Sequence, residues 1–228
     1  MYVKLISYTK EWKEIIKRAA EISAEGLKDE SIDEIIDMII NNDYSSILEH
    51  VTFTFEVGGI SVALSREFLE HRIGISHTGR STRYNKEEDI KFYTPDMPAS
   101  AYISYNKTIQ KLSKMYLKIA ENSSLESARY SLPLALHTQY LVTMNLRSLM
   151  HFLSLRLCVR AAPEMRKFAE LLKKEVSDKI PIAKRFGCRG EMLGLCPENK
   201  ARPKNCPFKD KIPTKEEFLM KRKIGSWR

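Results

Sequence analysis

The chain has 228 residues, of which 43% are hydrophobic and 29% are charged, a composition that indicates a folded globular protein and argues against disorder. Its 38 lysines and arginines outnumber its 29 aspartates and glutamates, and the formal net charge is +9. This excess favours anionic partners, either phosphorylated small molecules or nucleic acid. The sequence has no apolar run long enough for a membrane span and no secretion signal at its start, so we expect a cytoplasmic protein.

Hydrophobic periodicity predicts alternating strands and helices along the chain. In chain order it predicts a strand (3–7), two helices (10–25 and 31–41), a strand (50–57), a helix (60–70), a short strand (90–93), two helices (102–122 and 125–129), a strand (137–145) and two helices (146–156 and 163–179). Thr9 and Asn145 are candidate N-caps. Gly26 is expected to end the first helix, and the pair Gly58-Gly59 to end the second strand.

No repeat and no Pro/Gly-rich linker interrupts this pattern before residue 186. We therefore expect a single α+β domain over 1–186, with a small antiparallel sheet and flanking helices, followed by a Cys/Lys-rich C-terminal extension over 187–228. The basic residues of this extension are interpreted as a solvated surface: Lys200, Arg202, Lys204, Lys209, Lys211, Lys215, Lys221, Arg222, Lys223 and Arg228.

Two clusters of polar side chains stand out as candidate sites. The segment 70–84 carries three arginines and two histidines among hydroxyl side chains. Several guanidinium forks beside hydroxyls and imidazoles make a suitable site for an anion such as a phosphate. The second cluster, formed by Arg147, His151 and Arg156, lies on the helix over 146–156, where the spacing lets all three line one long groove.

The four cysteines do not form a recognisable metal motif. Cys158 lies in an apolar run and is interpreted as a core residue. Cys188, Cys196 and Cys206, eight and ten residues apart, could supply three thiolates to zinc or to an iron–sulfur cluster, or two of them could form a disulfide. Because there is no Cys-x-x-Cys pair and no fourth ligand nearby in sequence, we interpret them as free thiols and assign no metal site.

Four motifs, in unchanged order, resemble those of the flavin-dependent thymidylate synthase family. The family signature is Arg-His-Arg, a spacer of seven residues and Ser-x-Arg-Tyr, and most of it is present as His71-Arg72 and 81–84. The residues 49–55 (EHVTFTF) resemble the family's Glu-His-x-x-Phe-Thr-Phe strand, with Thr52 or Thr54 in the place of its threonine. The turn 128–133 (ARYSLP) and the helix 145–156, followed by Glu164, are also similar. The resemblance covers roughly residues 1–178.

The resemblance implies the thymidylate synthase-complementing fold and the reductive methylation of dUMP to dTMP. FAD would act as the hydride carrier, with NADPH and methylenetetrahydrofolate as co-substrates, in a homotetramer with shared active sites. The implied FAD contacts are His71, Arg72, Asn145, Arg147 and His151, with Thr52 and Ser23 near the adenosine-phosphate end. The implied dUMP contacts are Ser81, Arg83, Arg129 and Arg156. Arg156, near the uracil oxygens, and His50, near folate and flavin, are the implied catalytic residues.

The chain departs from the family pattern at three places. Glu70 stands where the signature has its first arginine, the spacer before Ser81 has eight residues, and Gly79 stands where many relatives have a dUMP-binding side chain. Gly74 or Gly79 could absorb the extra residue through a positive φ. Glu70 motivates a competing hypothesis, a relative that binds flavin and nucleotide with weakened turnover.

When each of these residues is considered alone, a simpler interpretation remains open for it. The basic charge motivates a nucleic-acid-binding protein, which we consider unlikely because few aromatic residues lie among the basic ones of the extension. His50 and His151 could be core histidines, and Arg129 could cap a helix. Ser76 and Ser81 could be turn hydroxyls, and the arginines of 70–84 could form a solvated loop.

Overall fold

The structure is a computed structural model that describes residues 1–198 and 202–224, with side chains up to residue 220. Of the predicted basic surface, Lys200 and Arg228 lie outside the described residues. Contacts divide the chain into two compact units, and each is described separately below. Unit 1 comprises Met1–Ile6 and Thr54–Thr143, and unit 2 comprises Ser7–Phe53 and the described residues from Met144 onward. The domain boundary at residue 186 stays a prediction.

The described residues form an α+β structure. The strands are β1 (Tyr2–Tyr8), β2 (Thr52–Ser61), β3 (Ile75–Gly79) and β4 (His137–Asn145). The helices are α1 (Trp12–Ser23), α2 (Ile32–Asn42), α3 (Val62–Leu69), α4 (Ala99–Asn122), α5 (Leu125–Ala128), α6 (Leu146–Arg156), α7 (Pro163–Ser177), α8 (Arg189–Leu193) and α9 (Lys215–Ile224). The strands form one small antiparallel sheet in the order β1-β2-β4-β3. The predicted fold class is confirmed.

Unit 1 contains most of this sheet together with α3, α4 and α5. Alternate residues are buried over the first half of β2 (Phe53, Phe55 and Val57) and near the end of β4 (Val142 and Met144), as the period of two requires. The long helix α4 buries Tyr116 completely, and the Tyr116 hydroxyl accepts a hydrogen bond of 3.1 Å from the backbone N–H of Glu87. This bond keeps the loop after Ser81 close to α4, so the polar segment predicted as a site is anchored to a helix.

Unit 2 is a helical layer built on α1, α2, α6 and α7. Phe152 of α6 and Phe168 of α7 are fully buried and pack edge to face, with ring centroids 6.0 Å apart. Ser31 and Glu34 form a capping box at the start of α2. At the start of α6 the side-chain oxygen of Asn145 accepts a bond of 2.8 Å from the backbone N–H of Ser148, so the predicted cap is confirmed.

Three local predictions in the N-terminal half are wrong. Thr9 does not cap α1, because its hydroxyl accepts a bond of 3.0 Å from the backbone N–H of Thr52. Helix α1 ends at Ser23, before Gly26. Strand β2 starts at Thr52, after a 3₁₀ helix over Ser45–His50, and continues through Gly58 and Gly59 to Ser61. Glycine is required at position 58 within the strand, because a Cβ there would lie 2.6 Å from the Tyr2 ring.

The segment 70–84 contains strand β3, which the sequence analysis did not predict. Gly74 precedes it with a φ of +66°, which confirms that this glycine takes a positive φ. Gly79, at the end of β3, instead leaves room for a neighbour, because a Cβ at this position would lie 2.4 Å from the Tyr140 ring. The short strand predicted over 90–93 is reduced to one isolated bridge between Phe92 and Leu136.

The C-terminal extension is folded in its described part and is not only a solvated surface. The guanidinium of Arg202 donates a bond of 2.6 Å to the backbone carbonyl of Ile212 and a second to that of Lys209. Cys196 pairs with Thr214 through an isolated bridge. No helix in the described part of the chain combines the length and the apolarity needed to cross a membrane.

The contact between Gly79 and Tyr140 gives a first testable prediction. Gly79→Ala forces the Tyr140 ring to move and is expected to cost about 1–3 kcal/mol through overpacking, which lowers Tm by several degrees. Gly26→Ala is the matched control, because a Cβ at Gly26 meets nothing within 4 Å. Thermal unfolding followed by circular dichroism measures both variants. Equal Tm values for the two would contradict the packing described here.

Candidate functional site

Two arginines of unit 1 meet on one carboxylate. Nε of Arg83 lies 3.2 Å from Oε1 of Glu126, and a terminal guanidinium nitrogen of Arg129 lies 3.4 Å from the same oxygen. All three side chains are partly exposed, so each ion pair contributes little to stability. Two positive charges share one negative charge, and the group keeps a net charge of +1 and open guanidinium donors. It can therefore bind a further anion, such as a phosphate.

Each of these arginines also lies over a tyrosine ring. The guanidinium carbon of Arg83 is 5.5 Å from the ring centroid of Tyr84, and that of Arg129 is 5.3 Å from the centroid of Tyr130. These distances allow cation–π attraction. The two tyrosines are 77% and 80% exposed, so their rings contribute to the surface around the arginines and not to the core. Arg129 is also the C-cap residue of α5, where its backbone N–H donates to the carbonyl of Leu125, so the interpretation that it caps a helix is confirmed. Its side chain remains available to Glu126 and Tyr130.

The segment around Ser81 forms a turn that is held by hydrogen bonds. The Ser81 hydroxyl accepts a bond of 3.3 Å from the backbone N–H of Arg83, and its carbonyl accepts one of 2.9 Å from the side chain of Asn85. Arg80 pairs with Glu87 at 2.8 Å. The serine thus serves as a turn hydroxyl, and Arg80 and Arg83 are held by carboxylates. Ser76 lies exposed on β3, outside any turn.

His71 and Arg72 follow α3, as predicted. The backbone N–H of His71 donates to the carbonyl of Phe68 at 3.0 Å, and Arg72 is exposed. The carbonyl of His71 lies 3.2 Å from Nε2 of His77, a residue that the sequence analysis did not single out. The His77 ring packs edge to face on Phe68, and its buried Nδ1 finds no hydrogen-bond partner among the described residues. The contacts of His77 with His71 and Phe68 therefore hold the segment after α3 against the end of that helix.

In unit 2 the start of α6 is tied to the segment that carries His50. Arg147 forms an ion pair with Glu49, and the backbone N–H of Leu146 donates to the carbonyl of Val51 at 2.8 Å. His50 is exposed at the end of its 3₁₀ helix, so it is not a core histidine. The structure thus ties Arg147 to the residue next to His50, and these two residues were assigned to the site from different motifs.

His151 lies one turn along α6 from Arg147, and the residue keeps enough exposure to exclude the interpretation as a core histidine. Partial burial lowers the pKa of His151, and the positive charges of Arg189 and Arg147 lower it further. The imidazole is therefore held neutral around neutral pH. Arg189, from the extension, was missed because nothing in the local sequence predicts that α8 packs against α6.

Each of the two threonines considered for the family motif has its hydroxyl within hydrogen-bond distance of another threonine hydroxyl. The Thr52 hydroxyl lies 3.2 Å from that of Thr9, and the Thr54 hydroxyl lies 3.0 Å from that of Thr143. Ser23 is the exposed last residue of α1. The ligand roles assigned to Thr52 and Ser23 stay predictions.

Arg156, the last residue of α6, lines a cavity of about 280 Å³ in unit 2. All four cysteines line the same cavity. Cys158 is half-buried at this surface, so its assignment to the core is wrong. Burial raises the pKa of the Cys188 thiol, and the nearby Cys158 raises it further.

A comparison with protein families identifies the family to which the chain belongs. A model of the Thymidylate synthase complementing protein family matches residues 4–182. The chain belongs to this family. It is 33% identical to the flavin-dependent thymidylate synthase of Pyrococcus abyssi, over 90% of this chain and 86% of that protein. It is 34% identical to the enzyme of the same name from Pyrococcus furiosus, over 90% and 92% of the two chains.

A solved structure shows the same fold. The flavin-dependent thymidylate synthase of Helicobacter pylori, complexed with FAD and dUMP, superposes with a TM-score of 0.68 and 22% sequence identity. The match covers 82% of this chain and 100% of that one. The predicted resemblance to the flavin-dependent thymidylate synthases is thus confirmed, and the protein is an enzyme of that family.

The environment of His151 gives a second prediction. Arg189→Ala removes a positive charge beside the ring and is expected to raise the pKa of His151 towards its ordinary value of about 6.5. An NMR titration of the histidine ring protons, with His151→Gln used for assignment, measures the shift. Arg160→Ala is the control, because Arg160 is paired with Glu198 at 2.7 Å. An unchanged or lower pKa in Arg189→Ala would contradict the placement of α8.

Proposed function

We propose that this enzyme converts dUMP to dTMP by reductive methylation. Methylenetetrahydrofolate would supply the one-carbon unit, and NADPH the reducing equivalents. Family membership and the names of the relatives support this reaction, and the related Helicobacter structure is described as a complex with FAD and dUMP. The observation that carries the proposal for this chain is the pair of guanidiniums, Arg83 and Arg129, on a single carboxylate.

This arrangement suits the phosphate of a nucleotide monophosphate. A phosphate brings more negative charge than Glu126 does and offers several acceptor oxygens to planar guanidinium forks. Glu126 keeps the two arginines close together before the nucleotide arrives, which lowers the conformational entropy that binding must overcome. We assign the dUMP phosphate to Arg83 and Arg129, with Ser81 holding the turn in which Arg83 lies.

The start of α6 suits a flavin dinucleotide, whose pyrophosphate requires positive charge and hydrogen-bond donors. Arg147 supplies the charge, and the backbone N–H groups at the helix start favour an anion. Asn145 uses its side-chain oxygen in the cap, so its amide NH₂ can donate to a ligand. His151, kept neutral by its surroundings, can donate without adding charge. His71, Arg72, Thr52 and Ser23 are assigned to the same ligand by the family motif. When bound, FAD supplies the hydride-carrying chemistry.

Arg156 and His50 are assigned the catalytic roles. A guanidinium beside the uracil oxygens stabilises the negative charge that develops on the ring during attack, and Arg156 is assigned this role together with dUMP binding. No cysteine nucleophile is required for a reaction in which the flavin does the redox work. His50 is exposed beside the Glu49–Arg147 pair and can position a substrate or move a proton.

The assembly and the cellular setting belong to the same proposal. We propose a homotetramer in which several subunits contribute to each active site, working in the cytoplasm. The extension over 187–228 would add to the domain over 1–186 without supplying the family's catalytic residues.

The reaction is tested by tritium release from dUMP labelled at C5, in the presence of FAD, NADPH and methylenetetrahydrofolate. We expect a yellow protein that releases flavin on denaturation and tritium only when all components are present. A colourless protein with salt-sensitive DNA binding and no release would contradict the proposal and favour a nucleic-acid-binding function. Glu70→Arg tests the hypothesis of weakened turnover: a large gain in rate from a nearly inactive parent supports that hypothesis, and clear activity in the parent removes it.

The phosphate assignment is tested by dUMP affinity. Arg83→Ala and Arg129→Ala each remove a charge-assisted hydrogen bond, typically worth about 1.5–3 kcal/mol, so each should weaken dUMP binding by roughly 10- to 100-fold. Glu126→Gln should tighten binding by up to about 5-fold, because the amide oxygen can still accept from both guanidiniums while the competing negative charge is removed. Arg80→Ala is the control, since Arg80 is paired with Glu87. Isothermal titration measures all four variants, and losses in Arg80→Ala equal to those in Arg83→Ala would refute the assignment.

A further inference from the structure

We propose that Cys158, Cys188, Cys196 and Cys206 together bind a four-iron iron–sulfur cluster in the cavity of unit 2. The sequence alone offered three clustered thiols without a fourth ligand. The structure supplies that ligand, because Cys158 lies at the wall of the cavity that the three later cysteines line. The cavity of about 280 Å³ is far larger than a single ion requires. All four side chains are free, half-buried thiols.

The cysteines come from separate segments whose backbones are fixed by hydrogen bonds. The carbonyl of Cys158 accepts from Ala161 at 2.9 Å, and that of Cys188 accepts from Met192 at 3.0 Å. Cys196 donates to Pro213 and accepts from Lys215, and Cys206 donates to Pro203 and accepts from Lys209. Each ligand therefore starts from an ordered turn, which lowers the entropic cost of assembling a four-ligand site.

Close packing brings two of these segments together. A Cβ at Gly190 would lie 3.3 Å from Cα of Cys196 and 3.7 Å from its Sγ. Gly190 is buried, two residues after Cys188, so α8 packs tightly against Cys196 at this position. The packing of α8 on α6 brings the same helix towards the segment that precedes Cys158.

The charge of the cavity wall suits a negative metal centre. Among the described lining residues are Arg156, Arg160, Arg189 and Arg202, facing Glu198, which is paired with Arg160. This wall carries a formal excess of three positive charges. Four thiolates make an iron–sulfur centre net negative, and nearby guanidiniums compensate that charge. Apolar side chains such as Phe208 and Ile212 complete the wall and limit access of water to the cluster.

The geometry favours a cluster over a single zinc ion. A tetrahedral zinc with bonds of about 2.3 Å needs four sulfurs roughly 3.8 Å from one another. No three His, Cys, Asp or Glu side chains of the described residues are placed to hold one metal ion. Zinc sites also typically draw on Cys-x₂₋₄-Cys pairs, whereas these cysteines are 30, 8 and 10 residues apart. A cube of irons and sulfides takes one thiolate at each of four separate corners, and four cysteines lining one cavity can supply them.

The test is metal analysis of the full-length protein, purified without oxygen. We expect about four irons and four acid-labile sulfides per chain, as a [4Fe–4S] cluster requires. An electron paramagnetic resonance signal of the dithionite-reduced protein should be distinct from that of the flavin. Each of the four Cys→Ser variants should lose most of the iron. Val159→Ala, at a neighbouring lining position without a thiol, should retain it. About one zinc per chain, or iron retained in all four Cys→Ser variants, would overturn the proposal.

A second measurement uses the wild-type protein, so it tests the proposal even if the Cys→Ser variants fail to fold. In the wild-type protein all four cysteines should resist alkylation, and all four should react after the iron is removed with a chelator, as read by mass spectrometry of peptides. Free reaction of any of the four before chelation would overturn the four-ligand assignment. Reaction of two of the cysteines only after treatment with a disulfide reductant would show a disulfide and would also overturn the four-ligand assignment.

Discussion

The proposed ligand sites depend on arginines that are positioned by carboxylates but keep positive charge around them. In unit 1 a single oxygen of Glu126 holds both Arg83 and Arg129, and in unit 2 Glu49 holds Arg147 at the start of a helix whose own dipole adds positive charge. These pairs are exposed and contribute little to folding. Their effect is to fix the position of guanidinium groups while leaving positive charge over, and a phosphate ligand can neutralise that remainder.

Helix α6 connects the flavin assignment to the cysteine cavity. Its first turns carry Arg147 and His151, and its last residue, Arg156, lines the cavity. Arg189, from the extension, lies at both places, since it lowers the pKa of His151 and also lines the cavity. A cluster bound there would hold the extension against the C-terminal end of α6 and would fix the backbone from which Arg156 extends. The extension would then stabilise the helix that carries Arg156.

Sequence periodicity correctly predicted a helix cap and element bounds that depend on local interactions. The cap at Asn145, the start of α2 after Ser31 and the span of β4 follow from neighbouring residues, and the structure has them where expected. Strand β3 could not be found in this way, because its residues are polar and its pairing partner β4 lies far along the chain. Motif resemblance found the arginines, but Glu126 and Arg189 depend on tertiary packing. Cys158 was misassigned for the same reason, since an apolar neighbourhood in sequence does not show which side of a helix end faces a cavity.

The central claim is that fixed guanidinium groups recognise the phosphate of the nucleotide. The most direct measurement compares the affinities of the FAD-loaded enzyme for dUMP and for deoxyuridine, which differ only in that phosphate, at low and at high salt. We expect dUMP to bind at least about 10-fold more tightly than deoxyuridine at low salt, the ratio expected from one or more charge-assisted hydrogen bonds. We expect the difference to shrink as salt increases. Equal affinities at every salt concentration would contradict this claim.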